Sequence, residues 1–355
     1  MIRKVIGALS LFLLLIALLV AVFVSQQQHK VVQQHTASSV SPLLFGTNVG
    51  LFNPQDSFIA QSSVRNLVKQ MHISTLRIHV RQMPGGAPPV WPQAVQYAKD
   101  MGLLPLLILR AGVNDAGALA ADTQIITTVN NIMGHNRVFY EFGNEEDLFN
   151  GTDQYYYTAR WNQLVPLLKQ LAPHAWFGGP VTYQSNAPFV AYFYHHAHPR
   201  PDFISWHAYF CGPQNSVQFC LANVAHFAGD IARTKNALQA NGDSGPPIFI
   251  TEWNYDASQG AQNDPRNTPQ FQRQFVQRVL QEFAKDGVYA AYQYVLNSNP
   301  DLNLIDTDNT TLTPAGQAFQ LLYEQLIGVK SAKRDVAPFL IARLKRSTIS
   351  RATPT

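Results

Sequence analysis

A single (β/α)₈ barrel is the fold class the sequence predicts, and three observations predict it. Eight short, nearly continuous apolar runs alternate with longer stretches of helical period, the pattern of parallel strands covered on both faces. The runs recur about every 30–45 residues, room for one crossover helix each. No Gly-x-Gly-x-x-Gly opens the first crossover and no P-loop is present, which removes the open doubly wound nucleotide-binding sheet as the alternative.

The predicted strands are residues 44–51, 75–80, 103–110, 138–143, 175–181, 202–210, 248–255 and 289–297. Apolar residues at 3–4 spacing predict helices over 63–70, 91–101, 123–133, 155–171, 223–239 and 269–285, with a last one at 314–327 after the eighth run. The barrel therefore spans residues 43–328, a length usual for one domain of this class.

The ends of the chain read differently. Arg3 and Lys4 precede twenty uncharged residues, 5–24, whose helical length of about 30 Å matches a bilayer core. Residues 1–25 are thus expected to form a cytoplasmic stub and signal-anchor rather than a cleaved signal, because Leu19 spoils the small-x-small pattern before Ala21. This predicts an exported domain on the cell membrane, or a secreted one if the segment is cleaved. Residues 26–42 read as a polar stalk. The net charge of +4 is misleading: residues 330–355 hold seven Lys/Arg against one Asp, so the tail (329–355) is basic and the rest of the chain is −2. No basic patch interleaved with aromatics marks the body, which excludes a nucleic-acid-binding surface. The two cysteines, Cys211 and Cys220, bracket a short Gly-Pro loop and are expected to bridge in an oxidising exterior. Two thiols without further ligands make a poor metal site.

Barrel chemistry lies at the C-terminal ends of the strands. There the fourth run ends Glu141-Phe142-Gly143-Asn144-Glu145-Glu146-Asp147, and the seventh ends Thr251-Glu252-Trp253-Asn254. Strands four and seven lie near-opposite across the barrel, so Glu145 and Glu252 can flank one glycosidic bond. With these residues the sequence resembles the clan A glycoside hydrolases, and within them a cellulase-like or family 39- or 79-like barrel. Asn144-Glu145 resembles the clan's strand-four pair, Glu252 its strand-seven nucleophile, His207-Ala208-Tyr209 its strand-six His-x-Tyr, and Arg77 its strand-two arginine.

The resemblance implies a retaining glycosidase acting on a poly- or oligosaccharide without metal or organic cofactor. Glu145 would be the acid/base and Glu252 the nucleophile. Asn144 would meet the sugar 2-hydroxyl, Arg77 and Tyr209 would hold Glu252, and His207 would touch substrate or Glu145. Trp253 and Tyr294 are counted with the substrate-binding residues. Strand eight lacks the tryptophan many clan members place under the reacting sugar, so Tyr292, Tyr294 and Asn297 all stay open as lining residues. Trp91 is either a sugar platform or a core residue. Glu141 is expected to point into the barrel or a helix, Glu146 and Asp147 toward solvent, and His195, His196 and His198 to end a solvated helix. A barrel that binds carbohydrate at the cell surface without turnover is the alternative function. An exported hydrolase of non-sugar bonds has no Gly-x-Ser-x-Gly elbow to support it.

Overall fold

The computed structural model describes residues 40–239, 245–256 and 264–328. The proposed anchor at 5–24, the stalk up to residue 39 and the basic tail lie outside the described residues. Among the described residues no helix is long and apolar enough to cross a membrane.

Eight parallel strands close in sequence order: β1 (Gly46–Val49), β2 (Thr75–Ile78), β3 (Leu104–Leu109), β4 (Phe139–Phe142), β5 (Trp176–Thr182), β6 (Phe203–Ala208), β7 (Ile248–Trp253) and β8 (Ala290–Gln293), with β8 pairing back to β1. The helices are α1 (Ser57–Ala60), α2 (Ser62–Gln70), α3 (Trp91–Asp100), α4 (Ala118–Met133), α5 (Glu146–Phe149), α6 (Gln154–Leu171), α7 (Ala187–His196), α8 (Val217–Ala222), α9 (Ala225–Leu238), α10 (Pro269–Lys285) and α11 (Pro314–Leu326). Between strands five and six the sequence predicts only a helix end at His195–His198, and the helix there is α7. The sequence also predicts the α9 helix from residue 223, whereas a separate short α8 precedes it. Side-chain caps fix several starts: Asp153 accepts from the Tyr156 N–H, Thr268 from Phe271 and Thr313 from Gly316.

Two apolar regions result from the barrel's geometry. Outward-facing strand residues such as Ile248 and Ile250 join the helices in the large outer core. Inside, Leu106, Phe139, Phe203, Phe249 and Tyr292 form a plug at the N-terminal end of the barrel. The Phe203 and Phe249 rings stack at 4.1 Å, and Phe139 meets Phe249 edge-on at 5.2 Å. Gly178 on β5 makes room for this plug, since a Cβ there would fall 2.3 Å from the Phe203 ring.

Above the plug, period-two alternation sends polar side chains toward the C-terminal mouth. Thr75, Arg77, His79 and Arg81 follow one another on the inward side of the β2 segment, and Phe203, Ser205, His207 and Tyr209 do so on β6. Strand β7 breaks the rule. Its register with β6 slips after Trp206↔Ile250, so that His207 pairs with Glu252. This irregularity at Thr251 turns Glu252 inward and Trp253 outward, the side-chain re-aiming that bulges provide near active sites.

Candidate active site

Glu252 sits at the centre of the mouth in a clamp of donors. Arg77 Nη1 donates to its Oε1 at 2.6 Å and Tyr209 Oη to its Oε2 at 2.8 Å, while His207 Nδ1 stands 3.5 Å from Oε2. Burial alone would raise the Glu252 pKa, but the charges of His207 and Arg77 and the Tyr209 hydrogen bond outweigh it and bring it down to about 2. Burial and the adjacent carboxylate hold the Tyr209 hydroxyl protonated, as a donor.

Arg77 is fully buried and organises the floor. Its Nε donates to Glu141 at 2.7 Å, Nη1 also to Asn48 Oδ1 at 3.0 Å, and Nη2 to Asn144 Oδ1 at 2.7 Å. Burial opposes its charge, yet Glu141 and Glu252 more than offset that cost, so its pKa lies above the usual value. Glu141, as expected, points into the barrel. Fixing the Asn144 carbonyl oxygen on Arg77 turns the amide NH₂ to the cavity, the orientation a sugar hydroxyl needs from a donor.

Glu145 lies beyond β4, where the backbone doubles back. Gly143 has φ +89°, and a Cβ there would meet Ala111 at 2.9 Å and Glu146 at 3.0 Å, so glycine is required. Glu145 itself adopts a left-handed conformation, φ +53°, with its N–H on the Val181 carbonyl at 2.9 Å. A non-glycine residue in that region carries a conformational cost that the surrounding contacts must offset. Its Oε1 meets His207 Nδ1 at 2.6 Å.

Glu145, His207 and Glu252 each bring one ligating atom within 4.8 Å of the others. Such a trio can in principle hold a cation. Here Glu252 is already neutralised by buried Arg77, an arrangement unlike that of an open metal site, where carboxylates face the ion.

The centre opens into a cavity of about 880 Å³ that extends over β2 and β3, within the range of small-molecule sites. Tyr294 lines it, together with Asn144, Glu145 and Glu252. Trp253 is not brought there: it is fully buried, its ring 5.8 Å from Phe283 on α10, because the irregularity at Thr251 reverses its side. Assigning it to the substrate-binding residues is therefore corrected. Of the other strand-eight candidates, Tyr292 is buried on the plug and hydrogen-bonds Thr75 at 3.0 Å, while Asn297 bonds Ser57 and Asn309. Trp91 starts α3, largely buried, with part of its surface on the cavity wall. Glu146 and Asp147, expected to face solvent, open α5 half-buried, bonded to Asn150 and to the Tyr183 N–H. His196 ends α7, stacked on Tyr192 at 4.0 Å. Cys211 and Cys220 are bridged, and Arg266 ties that loop to the Asp264 segment.

Sequence reasoning missed His79 and Arg81, both on the cavity wall. Counting in twos from Arg77 would have found them. Burial, with Arg77 and Arg81 alongside, pushes the His79 pKa well below its usual value and keeps the ring neutral. With Arg81 Nη2 donating to Nδ1 at 3.2 Å, its proton sits on Nε2, 3.9 Å from Glu252 Oε1.

Residues 155–319 match a family model described as glycosyl hydrolase catalytic core. That segment holds Glu252 but starts after Glu145. No curated protein matches the chain in sequence. Among solved structures, a family 51 α-L-arabinofuranosidase from Bifidobacterium longum superposes with TM-score 0.60 at 14% identity, over 80% of this chain and 73% of that one. The GH51 arabinofuranosidase from Xanthomonas axonopodis pv. citri gives 0.63 at 14%, over 81% and 73%. A GH128 endo-β-1,3-glucanase from Sorangium cellulosum gives 0.53 at 15%, over 78% and 96%. At such identities the structures speak for the fold. The chain resembles clan A glycoside hydrolases in motif, in family model and in fold.

Proposed function

We propose that this protein is a retaining glycoside hydrolase of poly- or oligosaccharides. The observation that carries the reading is the pairing of Glu252, clamped by Arg77 and Tyr209, with Glu145 across the mouth, their nearest oxygens within 4.8 Å. Retaining enzymes hold the two carboxyls about 5–5.5 Å apart, whereas inverting ones need about 6.5–9.5 Å to admit water between them. The spacing supports the retaining course.

In the first step a Glu252 oxygen attacks the anomeric carbon. The glycosidic C–O bond breaks, its electron pair stays on the leaving oxygen, and Glu145 delivers the proton that oxygen takes. In the second step water attacks the same carbon, gives a proton to Glu145 and breaks the glycosyl–Glu252 ester. Asn144 offers its amide N–H to a sugar hydroxyl, a contact that accelerates the reaction to the extent that it tightens in the transition state. His207 holds Glu145 through both steps, and the exposed Phe52 and Phe149 present apolar faces at the mouth.

The test is a panel of chromogenic glycosides and polysaccharides with proton NMR of the first product. Retained anomeric configuration is expected, and inversion would replace the two-step course by direct water attack. We further propose that residues 5–24 anchor the barrel outside the membrane; removing residues 1–24 should then yield active protein in the soluble fraction.

A further inference from the structure

The inward ladder of β2 ends on a cation that no carboxylate among the described residues touches. Thr75 bonds the plug and Arg77 pairs with Glu141 and Glu252, but Arg81 forms no ion pair with any carboxylate among the described residues. Its Nε donates to the Gly50 carbonyl at 3.0 Å, its Nη2 contacts His79, and its guanidinium lies 4.4 Å over the Phe52 ring. Nη1 makes no hydrogen bond among the described residues, and the side chain lines the cavity that holds Glu145 and Glu252. Burial lowers the Arg81 pKa, and the charge of Glu252, acting from beyond ion-pair distance, offsets that only in part.

Arg110, at the end of β3, is a second cation on the same wall. Its pair with Asp115, at 3.0 Å, is about half exposed, and such pairs are weak enough to exchange for a ligand. A site for neutral sugars gains nothing from a half-buried, unpaired guanidinium and carries its desolvation cost. A sugar bearing a carboxylate, in contrast, needs a cation here, because the two catalytic glutamates would otherwise repel it. The guanidinium fork matches a carboxylate in two parallel hydrogen bonds, and the Gly50, His79 and Phe52 contacts already hold it in place, which lowers the ordering cost of binding.

We propose that the β2–β3 lobe of the cavity is a subsite for a uronic acid, with Arg81 receiving the sugar carboxylate and Arg110 reinforcing it from the rim. This rests on the glycosidase reading and names the substrate class within it.

The experiment uses the full chain carrying Glu252→Gln, so that ligands bind without turnover. Calorimetry compares oligogalacturonates and oligoglucuronates with neutral cello-, xylo- and arabino-oligosaccharides and with a sulfated neutral oligomer of equal length, at low and high salt. The acidic oligomers should bind at least tenfold more tightly than the neutral ones, with salt narrowing the gap. Adding Arg81→Gln should cost the acidic oligomers at least tenfold more than the neutral ones. Equal or tighter binding of neutral or sulfated oligomers, binding of none, or an equal loss on both classes overturns the subsite. Turnover by the unmodified chain separates the two readings. Uronides bound but not cleaved leave the subsite and remove the hydrolase, whereas neutral glycans cleaved without uronide preference do the reverse.

Discussion

The ends of strands β4 and β7 each bring a glutamate to the same mouth, and they do so by opposite means. Glu252 stays on its strand and is turned inward by a register irregularity, then gripped by Arg77, Tyr209 and His207. Glu145 lies past its strand on a left-handed residue, with His207 as its side-chain partner. A nucleophile must be ionised and aimed at one carbon, so many fixed donors suit it. A group that loses and regains a proton each cycle is better served by few. The contrast teaches that role is written in the partner set rather than in the residue type.

The sharpest way to break the comparison is to remove each carboxylate in turn. Glu252→Gln should lower kcat/KM by about 10⁴-fold or more on every substrate, the scale of nucleophile loss, measured per folded molecule on activated aryl glycosides. Retention of a tenth of the activity would place the nucleophile elsewhere. Glu145→Ala should cost about 10²–10⁴-fold on glycosides with poor leaving groups and far less on activated ones, where departure needs little protonation. Azide should then rescue the activated case by attacking the glycosyl-enzyme. Equal loss on both substrate types, with no azide effect, would end the distinction between the two glutamates.

Arg77 tests the clamp itself. Its side chain satisfies two buried carboxylates, so Arg77→Met leaves Glu141 and Glu252 uncompensated in the barrel. Breaking a buried pair this way costs about 3–5 kcal/mol, read as a fall in thermal midpoint at neutral pH. Adding Glu141→Gln should restore part of the midpoint but little activity, because Glu252 still lacks its donor. Full recovery of activity in the double variant would mean that Arg77 serves folding alone.

How much of this was legible in advance follows the same physics. Apolar runs forced into a closed parallel sheet are readable from composition and spacing: seven strands fall inside the runs at 44–51 through 289–297, and β5 overruns its own, 175–181, by Thr182 alone. The strand-end motifs likewise put Glu145, Asn144, His207, Tyr209 and Arg77 within one cluster. Parity was the weak point. Glu252 and Trp253 are adjacent and face opposite sides, and strict alternation from inward Phe249 selects the wrong one. The slip at Thr251 depends on pairing with β6, a non-local contact no local pattern carries. Arg81 was missed for another reason: it lies just past the predicted run 75–80, and the inward alternation from Arg77 was not carried beyond the strand.

The smallest effect sharpens the same comparison through pH. With its pKa near 2 in the fold, against about 4.3 for an ordinary Glu, Glu252 favours the folded state when ionised. That contribution is complete above about pH 5 and is lost as pH falls through 2. Glu252→Gln lacks the charge at every pH. The gap in thermal midpoint between the two proteins should therefore be widest near neutrality, with the unmodified protein higher, and should close between pH 5 and 2. Above about pH 3 Glu252 stays ionised, so on the proposed mechanism an acid limb of kcat/KM at higher pH titrates some other group. A gap that does not change across this window would show that Arg77, His207 and Tyr209 do not favour the carboxylate over the acid, and the contrast between the two strand ends would then be one of geometry alone.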